Sequence, residues 1–480
     1  MRRYQPPPGS IPTLTVPDLT GMRSAHLVGI GGAGMSGLAW LLLARGVRIS
    51  GSDLKESSAV TQLRAAGAEI AVGHDAANVG TPDVVVISTA IARDNPEILE
   101  AGSRDIPVLA RAQILAALMR ERRGVAVAGT HGKTTTTSML AVILERAGAD
   151  PSYVVGGDLN ESGSNARSGR GDLFVAEADE SDGSFLLLEP EIAVITNVED
   201  DHLDFFASRE EIEEAFVAFC LRAGTVVACS DDPGTVRVVE EAGIQPVWYG
   251  EDERSSVRVA DVRASGSGTT ARLRVEAVGG QTWEGELEIP VPGRQHAVNA
   301  SGAVATAILL GIRAQVAAEA VRVYGGVRRR WERQGTARGA EFVDDYAHHP
   351  TEIAATLSAA RDGARERVVA VFQPHRYTRT AVMWRSLGES LGDADLVIVT
   401  DIYAAGEEPV AGITGKLVVD GLVEARPGKR AVYLPRRLDL ARFLAREVRA
   451  GDLVLTLGAG DITMVAGETL ALLGDGRGEG

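Results

Sequence analysis

The chain has 480 residues, 45% of them hydrophobic, and a formal net charge of −16. That length can bury several cores, so two to four domains are expected rather than one, with three the starting count, and the acidic surplus argues against non-specific capture of nucleic acid while leaving room for local basic clefts. Cys220 and Cys229 are too few to staple such a chain and lack metal-ligand spacing, and no apolar run is long enough to cross a bilayer, so a cytoplasmic location is expected.

Residues 1–22 open with Arg2, Arg3 and the run Pro6-Pro7-Pro8 and lack the apolar stretch of a secretory signal; they are expected to form a flexible leader. Over 23–121, strand-like apolar runs at 26–30, 47–50 and 84–88 alternate with helix-like stretches, the pattern of a parallel sheet wrapped by helices. The first strand runs into Gly29-Ile30-Gly31-Gly32-Ala33-Gly34-Met35-Ser36-Gly37, and Asp53 follows the second. These are the parts of a dinucleotide fingerprint, with G-x-G-x-x-G on Gly29, Gly31 and Gly34. Such a loop binds a diphosphate without saying whether it belongs to a nicotinamide cofactor or to a nucleotide sugar.

A second α/β domain is expected over 122–332. Its first strand, 124–129, delivers Gly129-Thr130-His131-Gly132-Lys133-Thr134-Thr135 to the start of a helix. Phosphate oxygens need converging backbone N–H groups, a helix N-terminus and a cation; this segment holds all three, with Lys133 placed for the β/γ-phosphates and Thr134 for Mg²⁺. The strict P-loop pattern is broken at its first position, where Val127 stands. The other lysines are Lys55, Lys416 and Lys429, so arginine serves wherever any positive charge will do and Lys133 marks a place where a compact ammonium is wanted.

Glu177-Ala178-Asp179-Glu180-Ser181-Asp182 and Thr196-Asn197-Val198-Glu199-Asp200-Asp201-His202 each follow an apolar strand, at 173–176 and 192–196. Alone, an acidic loop or a single histidine is a solvated surface feature; at the sheet edge of a phosphate loop these residues become candidate Mg²⁺ ligands. Residues 255–289 switch to alternating patterning punctuated by Ser265-Gly266-Ser267-Gly268 and Gly279-Gly280, which predicts antiparallel hairpins, and a helix over 297–310 closes the domain.

Past the basic Arg328-Arg329-Arg330, strands at 368–372, 396–400, 431–434 and 453–457 alternate with helices, so a third α/β domain is expected over 333–480. It contributes Asp344-Asp345-Tyr346-Ala347-His348-His349-Pro350 and Gln373-Pro374-His375-Arg376-Tyr377-Thr378-Arg379, whose histidines and guanidinium forks suit capture of a carboxylate.

Taken in order, the glycine loop, GTHGKTT, EADESD, the DDH segment, GRQHAVNASGA (293–303), RRW (329–331), DDYAHHPTE and the Gly458-Ala459-Gly460-Asp461-Ile462 turn resemble the Mur ligase family from about residue 25 to the end. The resemblance implies an α/β fold of three domains. These are a Rossmann-like N-terminal domain for a UDP-linked substrate, a central P-loop ATPase domain with a parallel sheet and a small antiparallel sheet, and a C-terminal Rossmann-like domain that closes over the site with the amino acid. It also implies ATP- and Mg²⁺-dependent amide formation through an acyl phosphate. GIGGAGMSGLA, EADESDGSF and DDYAHHPTE resemble most the branch that joins L-alanine to UDP-N-acetylmuramate.

By that resemblance Gly29, Gly31, Gly32, Ala33, Gly34, Met35, Ser36, Asp53, Ser88 and Thr89 would hold the UDP-sugar. Gly129, Thr130, His131, Gly132, Lys133, Thr134 and Thr135 would cradle the ATP phosphates, and Thr134, Glu177 and His202 the metal. His296 and Asn299 would take the adenine, and Arg330 and Asp345 the ATP from the domain junction. His348, His349, Arg376 and Arg379 would line the alanine side. Lys133 and His202 are the expected catalytic residues, and His202 and His348 are the two candidates for the general base. The family's other branches carry a carbamylated lysine after the metal histidine, whereas here no lysine lies between Lys133 and Lys416; Trp331 stands where phenylalanine is expected.

Two readings from other classes compete. A dehydrogenase using the first glycine loop leaves the phosphate loop and its acidic neighbours unexplained. A nucleotide-gated binding protein would hydrolyse ATP without joining two substrates.

Overall fold

The computed structural model describes residues 14–160, 163–201, 205–363 and 366–474. They fall into two compact units: the described chain up to Ala260 with Arg272–Leu287 and Val298–Tyr324, and Asp261–Ala271, Glu288–Ala297 and the chain from Gly325 onward.

The first sheet comprises β1 (Ser24–Val28), β2 (Arg48–Asp53), β3 (Glu69–Val72), β4 (Val84–Ile87) and β5 (Val108–Ala110), all parallel, in the order 3-2-1-4-5. Ala25, Leu27 and Val28 are fully buried, as expected of a continuous apolar strand covered on both faces. Strand order reverses between β1 and β4, so the glycine loop after β1 opens at the switch point where such sheets bind ligands. Leu19 is buried in this core, Val16 and Met22 pack against it, and Gln113 Nε2 donates to Thr15 O at 2.7 Å. Of the expected leader, residues 14–22 thus anchor on this core through Leu19, and residues 1–13 lie outside the described residues.

The second sheet comprises β6 (Arg123–Ala128), β7 (Ser152–Val154), β8 (Ala166–Arg167), β9 (Leu173–Glu177), β10 (Ile192–Ile195), β11 (Thr225–Cys229), β12 (Val247–Gly250), β13 (Val257–Ser265), β14 (Gly268–Val278) and β15 (Gln281–Ile289). Their order is 15-14-13-12-11-10-6-9-7-8. From β7 to β13 the pairings are parallel, and β8 closes the other edge antiparallel. β13, β14 and β15 are consecutive neighbours joined by two-residue turns, hence the expected hairpins; Gly279 and Gly280 both take positive φ (54° and 73°), as the turn matching strand twist requires.

The third sheet comprises β16 (Glu332–Ala337), β17 (Ala340–Asp345), β18 (Arg367–Phe372), β19 (Leu396–Val399), β20 (Ala431–Tyr433) and β21 (Asp452–Leu457), in the order 16-17-21-18-19-20. All pairs are parallel except the β16 edge. Register pairs Asp345 and Phe372 with Leu457, so the segments that follow β17, β18 and β21 leave one edge side by side. No helix among the described residues is long and apolar enough to cross a membrane.

Candidate active site

The phosphate loop leaves β6 through Gly129 at φ 139°, where a Cβ would collide with Thr196 Oγ1; only glycine fits. The segment after β10 then locks the loop: Thr130 N donates to Asn197 O (3.1 Å), His131 N to Asn197 Oδ1 (2.8 Å) and Glu199 N to Thr130 Oγ1 (2.9 Å). Gly132 is left-handed (φ 78°) and starts the helix Lys133–Arg146, which has no side-chain cap on its first turn. Its leading N–H groups are therefore oriented for an anion. A Cβ on Gly132 would come within 2.8 Å of Asn299 Oδ1, so Asn299 stands against the same turn.

Lys133 is 14% exposed and donates from Nζ to Gly129 O, Thr130 O and Glu180 Oε1, the last at 2.8 Å. Burial works against its charge, but Glu180, Glu177 and Asp179 outweigh that and hold its pKa above the ordinary lysine value. β9 pairs with β6 so that Val127 faces Glu177. Thr134 Oγ1 accordingly donates to both Glu177 oxygens (3.1 and 2.9 Å), and Gly156 N donates to Oε2 (2.7 Å). An alcohol beside a carboxylate is a hard-oxygen pair of the kind Mg²⁺ takes, so these residues fit the metal their motifs imply. His202, the third expected ligand and second expected catalytic residue, lies outside the described residues.

Ala33 and Gly34 of the first glycine loop line the same cleft as Lys133, Glu177 and Asp179, a cavity of about 240 Å³. Gly29 N and Ile30 N both donate to Ser52 O (2.8 and 3.0 Å), and Gly31 N to Asp53 Oδ2 (2.8 Å), so Asp53 shapes the loop. Gly32 caps the helix Ala33–Ala44 without a side-chain bond. Met35 and Ser36 are both buried, both amides donate to Gly32 O, and Ser36 Oγ donates to Ala33 O (3.1 Å). The first turn of that helix uses them for its own closure. Ser88 and Thr89 follow β4 at the switch point, half-buried and exposed respectively.

Sequence reasoning missed Arg111. At the start of the helix Arg111–Arg120, it ion-pairs with Asp179 (3.3 Å), lines the cleft, and lies so close over Gly34 that a Cβ there would collide with Nη1. Its partner is 68 residues away, so only the fold reveals it.

In the second unit Asp345 ends β17, fully enclosed, accepting from Trp331 N and Ala347 N at 2.8 Å each. Burial raises its pKa to about 6 against the opposing pull of Arg330; burial and then the Arg330 charge lower His296 to about 4, leaving that imidazole neutral. Arg330 donates to Glu352 Oε1 (3.3 Å), and the Arg329 and Arg330 guanidiniums each lie 5.0 Å from the Tyr346 ring centre. Trp331 is buried at φ 51°, a left-handed conformation unusual for so bulky a residue. Arg329 is a second omission: its fork donates to Gly458 O, Ala459 O and Gly460 O and to buried Asp344, tying the turn after β21 to the end of β17.

Of the expected amino-acid residues, His348 stacks edge-on with Tyr346 (5.3 Å) and His375 (5.6 Å). Arg376 donates to Glu407 (2.7 Å), and Arg379 Nη1 lies 3.5 Å from His375 Nδ1. His349 is the buried N-cap of the helix Pro350–Asp362, with Glu352 completing a capping box.

A lysine-bearing phosphate loop with an alcohol–carboxylate pair beside it, on a parallel sheet that shares a cleft with a second glycine loop, defines an enzyme of the P-loop nucleotide-handling class. Family models match in the same three-part order: "Mur ligase family, catalytic domain" over residues 24–123, "Mur ligase middle domain" over 127–307 and "Mur ligase, glutamate ligase domain" over 329–460. The chain belongs to the Mur ligase family. It is 47% identical over 451 residues to the UDP-N-acetylmuramate--L-alanine ligase of Anaeromyxobacter dehalogenans, covering 93% of this chain and 97% of that one. It is 47% identical over 469 residues to the Saccharopolyspora erythraea protein of the same name, covering 95% and 94%. Among solved structures, the UDP-N-acetylmuramate-alanine ligase of Thermotoga maritima superposes with TM-score 0.81 at 30% identity, covering 95% of this chain and all of that one. A murein peptide ligase from Psychrobacter arcticus superposes at 0.70 with 26% identity, covering 95% and 99%.

Proposed function

We propose that this protein forms the amide between the lactyl carboxylate of UDP-N-acetylmuramate and L-alanine, converting ATP to ADP and phosphate, in the synthesis of peptidoglycan precursors. The observation that carries this reading is the single cleft holding Gly34 of the glycine loop together with Lys133, Glu177 and Asp179 of the phosphate site. A nucleotide sugar seated on the first loop would present an acid to the γ-phosphate. Near-full-length identity of 47% to ligases with this name supports the same substrates.

In the proposed chemistry the lactyl carboxylate oxygen attacks the γ-phosphorus, and ADP leaves. The neutral amine of L-alanine then attacks the acyl-phosphate carbon, and phosphate departs from the tetrahedral intermediate. Lys133 would neutralise charge on the transferring oxygens, the main requirement of phosphoryl transfer. Gly129 to Thr135 would cradle the phosphates, and His296 and Asn299 would hold the adenine, with Arg330 and Asp345 completing the ATP site. Mg²⁺, held by Thr134 and Glu177 with His202, would supply Lewis-acid charge neutralisation when bound. His348, His349, Arg376 and Arg379 would take the amino acid. We assign these tasks to domains at 23–121, 122–332 and 333–480 and place the reaction in the cytoplasm, where its nucleotide substrates are made.

The test is ADP release from purified protein with Mg²⁺-ATP and each substrate alone or together. Turnover requiring both UDP-N-acetylmuramate and L-alanine is expected; ADP release without the amino acid would favour a nucleotide-gated binding protein, and saturable nicotinamide binding would revive the dehydrogenase.

A further inference from the structure

Arg376 carries a cost that nothing in its own side chain explains. It sits at φ 70°, ψ 138°, a conformation L-residues adopt rarely and at a price in strain, immediately before the helix Tyr377–Ser390. Strain of this kind persists only where the surroundings over-determine it, and here one short segment does so. Arg376 N donates to Tyr403 O and Tyr403 N to Pro374 O, both at 2.9 Å, and the His375 and Tyr403 rings stack at 5.8 Å with an 11° interplanar angle. The same segment turns sharply through Ala405 (φ 49°) and Gly406 (φ 89°) and delivers Glu407. That carboxylate is only 15% exposed and takes three donors: Arg376 Nε (2.7 Å), Thr378 Oγ1 (2.6 Å) and Thr378 N (3.0 Å).

We propose that Glu407 is a positioning residue of the amino-acid site, fixing the Arg376 guanidinium and the start of its helix in the pose that receives the amino acid's carboxylate. The inference rests on the ligase reading and on Arg376 as a carboxylate receptor. Charge supports it: the Glu407 carboxylate holds Arg376 through a charge-assisted hydrogen bond from Nε at 2.7 Å, a stronger tether than a neutral one. Geometry supports it too, because a long arginine held through Nε has lost its side-chain freedom before the ligand arrives, which is how a receptor becomes selective for one pose.

The experiment measures kcat and three separate KM values, for L-alanine, ATP and UDP-N-acetylmuramate, in the full-length protein. Glu407→Gln, which keeps the size but removes the charge, is expected to raise the KM for L-alanine about tenfold or more, the loss of one charge-assisted hydrogen bond. The KM values for ATP and UDP-N-acetylmuramate should stay within about twofold and the melting midpoint should hold, as a local change in one subsite requires. Thr378→Val should give a smaller rise in the same constant and Thr378→Ser should restore it, a pair that also serves if Glu407→Gln does not fold. An unchanged KM for L-alanine, or three constants rising together, overturns the proposal. If the wild-type protein does not consume L-alanine, the ligase reading fails on that control, and the variants are read on whichever amino acid the wild type does use.

Discussion

Lys133 Nζ lies 2.8 Å from Glu180 Oε1, so the phosphate-loop cation already has an internal counter-ion, and that carboxylate is itself only 4% exposed. The pair settles two things. It keeps an ammonium charged inside the protein, and it makes the loop's stability depend on a group that is absent from the usual phosphate-binding pattern. An arriving nucleotide phosphate competes with Glu180 and with the carbonyls of Gly129 and Thr130 for the three ammonium hydrogens.

Removing the lysine should therefore have two separable effects. Lys133→Ala should lower kcat by about 100-fold or more, because charge neutralisation in the transition state is lost. It should also cost about 3 kcal/mol of stability, because Glu180 is left buried without its partner. Lys133→Ala combined with Glu180→Gln should regain the stability and not the turnover. Urea unfolding and ADP release on the two variants check this; wild-type turnover in the single variant would remove Lys133 from the ATP site.

The contact of Arg111 with Gly34 gives a second prediction. Gly34 is the last glycine of the fingerprint, and the space over it belongs to a guanidinium end that pairs with Asp179. Because that end is flexible, Gly34→Ala should leave folding nearly intact while pushing Arg111 off Asp179 and into the cleft. The expected outcome is a KM for UDP-N-acetylmuramate raised about tenfold, with kcat at saturation and the KM for ATP little changed. A rise confined to the ATP constant would place the cleft's first-domain wall in the wrong subsite.

Glu97 supplies a pH prediction far from the chemistry. Its fully buried carboxylate accepts from Ser52 Oγ (2.6 Å) and Asn78 Nδ2 (2.8 Å), with His74 Nδ1 at 3.1 Å and His26 Nε2 at 3.8 Å. Burial would raise its pKa, but His26, Ser52 and Asn78 outweigh that and bring it to about 2. The folded value lies below the unfolded one, so the unfolded chain binds more protons between them and stability falls as pH falls through that window. A contribution of about 3 kcal/mol is expected, fully present above about pH 5 and lost towards pH 2. Urea unfolding of wild type and Glu97→Gln should differ more near about pH 7 than near about pH 3; a difference that does not change with pH would contradict the assignment.

What was legible in the sequence follows from how far each interaction reaches along the chain. Long apolar runs such as β18 and β21 announce themselves, whereas β16 (ERQGTA) is a polar edge strand and β8 has two residues, too little for a periodic signal. The phosphate loop and the acidic strand ends were readable because glycine, lysine and carboxylates must sit at fixed offsets from a strand. Arg111, Arg329 and Glu407 were not, since each acts on partners brought close only by the sheet, 68, about 130 and 31 residues away. His349 also carries a helix-start signal beside its expected place in the amino-acid site: a proline follows it and a glutamate stands three residues on.

The last prediction concerns the amino acid. The chain resembles both an alanine-adding ligase and, less closely, a murein peptide ligase, so the size of the acceptor is what separates the two outcomes. We expect L-alanine to be joined in preference to the tripeptide acceptor, with His348, Arg376 and Arg379 contributing carboxylate recognition and an aromatic row, Tyr346, His348, His375 and Tyr403, running beside them at ring separations of 5.3, 5.6 and 5.8 Å. Discrimination against glycine should be modest, because one methyl group in an apolar pocket is worth only about 1–3 kcal/mol. Arg376→Lys should cost more than that difference, since an ammonium cannot reproduce the planar fork that matches a carboxylate. Competition among L-alanine, glycine, L-serine and the tripeptide, compared as kcat/KM, measures all of these at once. A tripeptide preference would leave the family and the phosphate chemistry intact and show that the acceptor had been wrongly assigned.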